Sequence, residues 1–354
     1  MASPSRVSIL GALLAVFTAF APAQGPQWTT MTVPVVAGST AQRLDAIEAI
    51  SPNDVWAGGT RFHPAISPTN GVDCWNLIMH FNGSTWSVVP TPDLSTGPVI
   101  RNEIYALGAT SSTDVWAAGE ISGLATSVGG AFDTQMQILH WNGSAWSHLT
   151  PPSIPNALHA SVKDIVAIAP NLVWFFGYAT VIGGTSQPVA FYWNGSTFVN
   201  SSLPSATNSG RGFFAAAGTS GTDLVAVGGG VASELLSPFG NGTIRRFDGV
   251  NWNAQSIAGS TIYGLQAIER IAANDIWVGG SAPSGSSVAP FFARFDGTSW
   301  TTRPSPGIFP EAFASLSSNE LLCGGVGGVH RWNGSAWSSE WTPPLPTPIL
   351  HAMD

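Results

Sequence analysis

Charge is what this chain has least of. Asp, Glu, Lys and Arg make up 9% of its 354 residues, and Lys163 is its only lysine. With a net charge of −8 and no basic run, nothing is available to neutralise a phosphate backbone, so no nucleic-acid partner is expected. The motifs that hold metals are missing too: no His-x-His, no His-Glu-x-x-His, no Cys/His cluster and no Asp-x-Asp-x-Asp-Gly loop. Neither a Gly-x-Ser-x-Gly elbow nor a phosphate-cradling glycine loop occurs, and no cofactor is implied. Cysteine is limited to Cys74 and Cys323, which allow one disulfide at most.

Long apolar runs are also scarce. The one stretch of that kind, residues 7–20, follows Arg6 and precedes Ala21-Pro22-Ala23, a small-x-small pattern. It reads as an export signal cleaved after Ala23. An uncleaved anchor is the competing reading, and the run is short for a span of about 20 residues. Residues 24–354 are then expected as a single exported domain with no membrane span.

What the chain has in abundance is glycine, proline and tryptophan: 40, 26 and 15 residues. This composition fits a loop-rich all-β protein better than long amphipathic helices. Its order is periodic. An Asp-Val-Trp phrase opens at Asp54, Asp114, Leu172, Asp223, Asp275 and Glu320, and glycine follows each time, at Gly58-Gly59, Gly119, Gly177, Gly228-Gly229, Gly279-Gly280 and Gly324-Gly325. Each unit then carries an aromatic-Asn/Asp-Gly phrase and a further aromatic three residues on, as in Phe81-Asn-Gly83 and Trp86. An apolar strand such as Leu44–Ile50 precedes every unit. Asn-Gly between aromatic strands signals a hairpin, here expected as type I′. Four short strands repeated six times predict a β-propeller of six four-stranded blades. Residues 27–34 read like one further outer strand, and Leu350–Asp354 like the start of an inner one, which leaves a vestigial seventh blade open.

The Gly-Gly doublet and the aromatic-turn-Trp hairpin resemble kelch and galactose-oxidase-type propeller repeats. The complete phrase looks like the repeats of secreted bacterial propellers of largely unassigned function. The resemblance spans about residues 43–345 and implies a fold rather than an activity. Copper chemistry of the galactose-oxidase kind has no matching Tyr, Cys and His motif here. Asp-Gly-Thr-Ser-Trp300 resembles a sialidase Asp-box but is one residue shorter between Asp and Trp.

Where a unit varies, function has room. The loops between second and third strands differ most, reading as Thr60–Trp75, Glu120–Gln135, Thr180–Val189, Gly230–Asn241 and Ser281–Pro290. Nine residues before each Asp-Val-Trp phrase stand Asp45, Tyr105, Lys163, Phe214, Gln266 and Glu311, with His351 in the C-terminal fragment. A structural role would repeat; this position does not. It is either an idle solvent-facing slot or a ligand-facing one. Trp75 lies beside Cys74 outside the repeat pattern, as a loop anchor or as an exposed indole that could stack on a sugar. His80 and His140 occupy a repeat slot filled elsewhere by Tyr or Arg, so they read as outer-strand surface. Asp73, Asp93, Glu103, Glu120, Asp133, Asp164, Glu234 and Glu311 are the carboxylates that the repeat does not explain, and a glycosidase would need two of them to converge. Cys74 and Cys323 fall in the first and sixth units, where a bridge would close the ring if their Cα atoms come within about 7 Å. These features predict a secreted, non-catalytic propeller that binds a polysaccharide, glycoconjugate or protein on the face that carries these variable loops. A propeller-fold glycoside hydrolase or lyase, and a structural envelope protein, are the alternatives.

Overall fold

A computed structural model describes residues 8–9, 28–64, 72–92, 94, 101–122, 134–182, 186–201, 203, 211–230, 242–317, 319–343 and 352–353. The expected signal, apart from Ser8 and Ile9, lies outside these residues, as do His351, Asp93, Asp133 and Glu234. Every regular element among the described residues is a strand. The chain divides into two compact units, Met1–Leu149 and Thr150–Asp354.

In the first unit β1 (Ser8–Ile9) runs parallel to Ala41–Gln42. The first meander consists of β2 (Ala41–Ser51), β3 (Asp54–Pro64), β4 (Val72–Phe81) and β5 (Trp86–Val88), paired antiparallel in that order. The second repeats the order with β6 (Arg101–Ser111), β7 (Asp114–Ser122), β8 (Thr134–Trp141) and β9 (Trp146–Leu149). The second unit holds four more meanders. They are β10 (Ala157–Ala169) to β13 (Phe198–Asn200), β14 (Arg211–Ser220) to β17 (Trp252–Gln255), β18 (Gly264–Ala272) to β21 (Trp300–Arg303), and β22 (Pro310–Ser317) to β25 (Trp337–Trp341).

Packing follows from the period-2 alternation of each strand, which puts Trp56 and Ile78 on one face and Val55, Leu77 and Met79 on the other. The Trp56 face packs on Ile104, Leu107 and Leu139 of the second meander. The opposite face is covered by Met31, Val33 and Val36. Residues 28–34, expected as an outer strand, form no strand at all; they serve instead as an apolar cover for the first meander. In the second unit Trp174 and Phe176 meet Phe213, Leu224 and Trp252, and Trp277 and Phe292 meet Phe313 and Trp332. Trp56, Trp116, Trp174 and Trp277 are almost wholly buried, each worth roughly 2–3 kcal/mol in apolar area.

Polar pairs repeat with the same regularity. The acid that opens the second strand bonds a histidine or arginine on the third: Asp54 with His80 at 2.8 Å, Asp114 with His140 at 2.6 Å, Asp275 with Arg294 at 2.6 Å and Glu320 with Arg331 at 3.1 Å. Each histidine also stacks on the tryptophan across the strand pair, at 4.5 Å for Trp56–His80 and 4.2 Å for Trp116–His140. His80 and His140 are therefore half-buried structural partners rather than free surface. Asp223 is held below the ordinary carboxylate range: burial opposes this, but Arg270 and Arg246 outweigh it.

The third-to-fourth hairpins differ from the type I′ expectation. Only the glycine takes positive φ, 89° at Gly83 and 97° at Gly297. The preceding Asn or Asp instead turns its side chain inward: Asn82 Oδ1 accepts from the Ser84 and Thr85 amides, both at 3.0 Å. Ser281–Pro290, read as a loop, is the end of a long hairpin, since β19 (Asp275–Ser284) and β20 (Ser287–Phe295) leave only two residues between them.

Candidate functional site

The glycine that ends each second-strand phrase explains the variable slot. A Cβ on Gly59, Gly119, Gly177, Gly228, Gly280 or Gly325 would lie 1.8–2.1 Å from a carbonyl oxygen of the facing first strand. That carbonyl comes so close because the first strand bulges there. The register skips between Leu44 and Ala46, Ile104 and Ala106, Val162 and Asp164, Phe213 and Ala215, Leu265 and Ala267, and Pro310 and Ala312. The skipped residues are Asp45, Tyr105, Lys163, Phe214, Gln266 and Glu311. The position that changes in every unit is thus a bulge residue of every first strand. It has no cross-strand partner to satisfy, and a bulge re-aims its side chain. Each slot residue is half-buried, while the residue after it is a buried alanine in every meander but the third.

In the first unit the slots Asp45 and Tyr105 belong to one charged cluster. Arg43 Nε lies 2.7 Å from Asp45, and its Nη2 lies 3.8 Å from Glu103. Glu103 is nearly sealed from solvent; it also accepts from Arg101 Nη2 at 3.2 Å and from the Tyr105 hydroxyl. Burial raises the Tyr105 phenol above its ordinary value, and the charges of Glu120 and Glu103 raise it further. Tyr105 is thereby held as a hydrogen-bond donor. Glu120 faces Glu103 across the β6–β7 pair. Sequence reasoning singled out Glu103 and Glu120 only as unexplained acids and missed Arg43 and Arg101. Their position two and four residues before a bulge slot is the signal that would have found them.

Trp75 is not an exposed loop indole. It lies in β4, directly opposite Arg61, with the guanidinium 5.0 Å and the His63 ring 4.2 Å from its own ring centroid. This packing makes it an anchor of the long β3–β4 hairpin. Cys74 beside it is buried, as is Cys323 in the second unit.

In the second unit Lys163 and Phe214 share a neighbour. The Lys163 Nζ sits 5.7 Å from the Tyr178 ring centroid, Phe214 meets the same ring edge-on at 6.1 Å, and Tyr178 bonds His159 at 3.2 Å. Asp164 fills the place that is alanine elsewhere. Its carboxylate accepts from the amides of Ile165 at 2.8 Å and Ala216 at 2.6 Å, tying β10 to β14. Burial raises its pKa to about 7, against the pull of those two amides. Glu311 is raised by burial, and the Cys323 thiol by burial and by Glu311. Gln266 occupies the bulge of the fifth meander. No group of three or more His, Cys, Asp or Glu side chains that could hold a metal occurs among the described residues.

No protein-family model and no curated protein matches this sequence. Solved structures do match in shape. The Hadza microbial sialidase Hz136 superposes with a TM-score of 0.54 at 9% identity, covering 86% of this chain and 66% of its own. The Trypanosoma rangeli sialidase in complex with the inhibitor DANA gives 0.51 at 9% identity, covering 84% and 54%. YCF48 bound to D1 peptide gives 0.45 at 14% identity, covering 88% and 84%. The chain spans between about half and two thirds of the length of the two sialidases. At such identities the likeness is one of fold, and the fold of this chain is a β-propeller.

Proposed function

We propose that the six meanders are six four-stranded blades of one propeller of kelch-like repeat type. The chain is exported, and it binds a carbohydrate or protein partner without catalysis. Binding takes place where the innermost strands begin. The observation that carries this reading is the row of bulge slots. One scaffold repeats its glycines, its pairs of an acid with histidine or arginine, and its buried tryptophans. It varies one residue per meander, the residue skipped in the ladder near the start of the first strand, as acid, phenol, ammonium, phenyl, amide and acid again. Rigid frames that carry variable side chains are how binding surfaces are built.

The test is a screen of the chain beginning at Gln24 against glycans, polysaccharides and candidate proteins, with mass-spectrometric analysis of products. Saturable binding without turnover is the expected result. Alanine at Asp45, Tyr105, Lys163, Gln266 or Glu311 should weaken that binding at unchanged melting temperature. Absence of any saturable ligand, together with self-association, would overturn the reading in favour of a structural role.

A second reading has one specific support. Tyr105 hydrogen-bonded to Glu103, with Glu120 opposite and Arg43 and Arg101 adjacent, has the components of a glycoside-cleaving site. The direction of the Tyr105 shift argues against it, because a phenol raised by two carboxylates is a poor nucleophile. Released oligosaccharide, abolished by Tyr105→Phe, would establish it nonetheless.

A further inference from the structure

Four buried polar side chains in the first unit leave hydrogen-bonding atoms that find no partner among the described residues. They are Thr60, Asn76, Asn102 and Gln137, at 0%, 7%, 4% and 0% exposure. The atoms are Thr60 Oγ1, both amide atoms of Asn76, Asn102 Oδ1 and both amide atoms of Gln137. Polar groups sealed from water without a partner are costly, so native folds give them one.

Strand alternation points all four toward one space. Thr60 shares the Trp56 face of β3, and Asn76 shares the Ile78 face of β4; both face the second meander. Asn102 shares the Ile104 face of β6 and Gln137 the Leu139 face of β8; both face the first. Thr60 and Asn76 are cross-strand partners. A Cβ on Gly58 would meet the Ile104 side chain at 2.8 Å, so one step of two residues toward the strand start of β6 sets Thr60 opposite Asn102. The repeat supports this register elsewhere. At the junction of the fourth and fifth meanders Gly229 stands in the place of Thr60, and a Cβ on it would meet the Tyr263 carbonyl at 2.6 Å; Tyr263 stands in the place of Asn102.

The four residues are not imposed by the repeat. Their counterparts at the fourth–fifth junction are Gly229, Gly242, Tyr263 and Phe291, and no amide side chain fills these places at the fifth–sixth junction either. The chemistry of the set is selective. A bound cation would satisfy the oxygens and strand the amide N–H groups; an anion would do the reverse. A hydroxyl group donates and accepts, and so serves both.

We propose that the seam between the first and second meanders is a binding site for hydroxyl groups, either of a neutral sugar or polyol or of ordered water. It lies apart from the bulge slots, and its test succeeds or fails independently of theirs. The experiment compares the wild-type chain with Asn76→Met/Gln137→Leu, which installs the residues that the sister meander carries at Met136 and Leu77. Each is melted against a panel of neutral monosaccharides and alditols at millimolar concentration. Long-lived internal water is measured in parallel by oxygen-17 magnetic relaxation dispersion. A sugar-dependent rise in melting temperature, lost in the double variant, identifies a carbohydrate site. Long-lived internal water in the wild type, lost in the double variant, identifies a hydration site. Neither signal in the wild type, or signals unchanged by the substitutions, overturns the proposal. So does a rise in melting temperature with sodium, potassium or calcium that the substitutions abolish. Thr60→Val reads the same signals should the double variant fail to fold.

Discussion

At the scale of single residues, two positions make the physics testable. Gly119 lies opposite Ile104, where a Cβ would sit 1.9 Å from the Glu103 carbonyl oxygen. No side-chain rotation relieves a clash with backbone. Gly119→Ala is expected to cost about 3 kcal/mol or more, read as a lowered denaturation midpoint, because either the bulge or the strand pairing must give way. Asp164 offers the second case. Its folded pKa of about 7 lies above the unfolded value of about 3.9. Between those values the folded chain holds a proton that the unfolded chain has released, so stability falls as pH rises through the window. Asp164→Asn removes this slope. Going from pH 5 to pH 8, the variant should gain on the order of 2 kcal/mol relative to wild type, measured by denaturant titration at both values. An unchanged difference would show that Asp164 ionises normally.

At the scale of elements, successive meanders of the second unit are stapled by tryptophan. The indole of Trp252 donates to Ser201 at 2.8 Å, that of Trp300 to Gln255 at 2.7 Å and that of Trp337 to the Pro304 carbonyl at 2.8 Å. In each case the first residue of an outer strand reaches back to the end of the preceding outer strand. Trp300→Phe keeps the ring and deletes the bond. It should cost about 1 kcal/mol, visible as a small drop in melting temperature without loss of cooperativity. Most of this was legible in the sequence, because strands, turns and stacking faces all derive from short-range patterns. The Asp-Val-Trp and aromatic-Asn-Gly phrases mark the edges of β3 and β4 and of their counterparts. What escaped was set by contacts across strands. Nothing local tells that the Asp54 carboxylate meets His80, that Ser281–Pro290 continues a ladder, or that Met31 and Val33 cover a sheet without joining it.

At the scale of the molecule, the candidate site was half legible. The slot at Asp45, Tyr105, Lys163, Phe214, Gln266 and Glu311 shows in the sequence as disagreement among aligned units. Its cause, a bulge, shows only as a glycine fourteen residues further on in each unit. The spacing was visible; its meaning required the close approach of a carbonyl to a glycine Cα. For Trp75 the sequence allows a loop anchor or a displayed indole; only the strand pairing, with Arg61 and His63 packed on its ring, favours the anchor. The buried amides at Asn76 and Gln137 gave no signal, since an isolated polar residue in a strand is ordinarily exposed.

The bulge also separates what this protein must keep from what it can change. A slot residue contributes no rung to the ladder, so altering it leaves the frame's register intact. The alanine that follows it is packed, and enlarging it is not tolerated. Libraries randomised at Asp45, Tyr105 and Gln266 should therefore yield mostly folded clones with melting temperatures near the parent. The same diversity placed one residue later, at Ala46, Ala106 and Ala267, should yield few. Under the binding role proposed for the slots, such a chain is a fixed hand with interchangeable fingertips, from which new specificities would be selected one digit at a time.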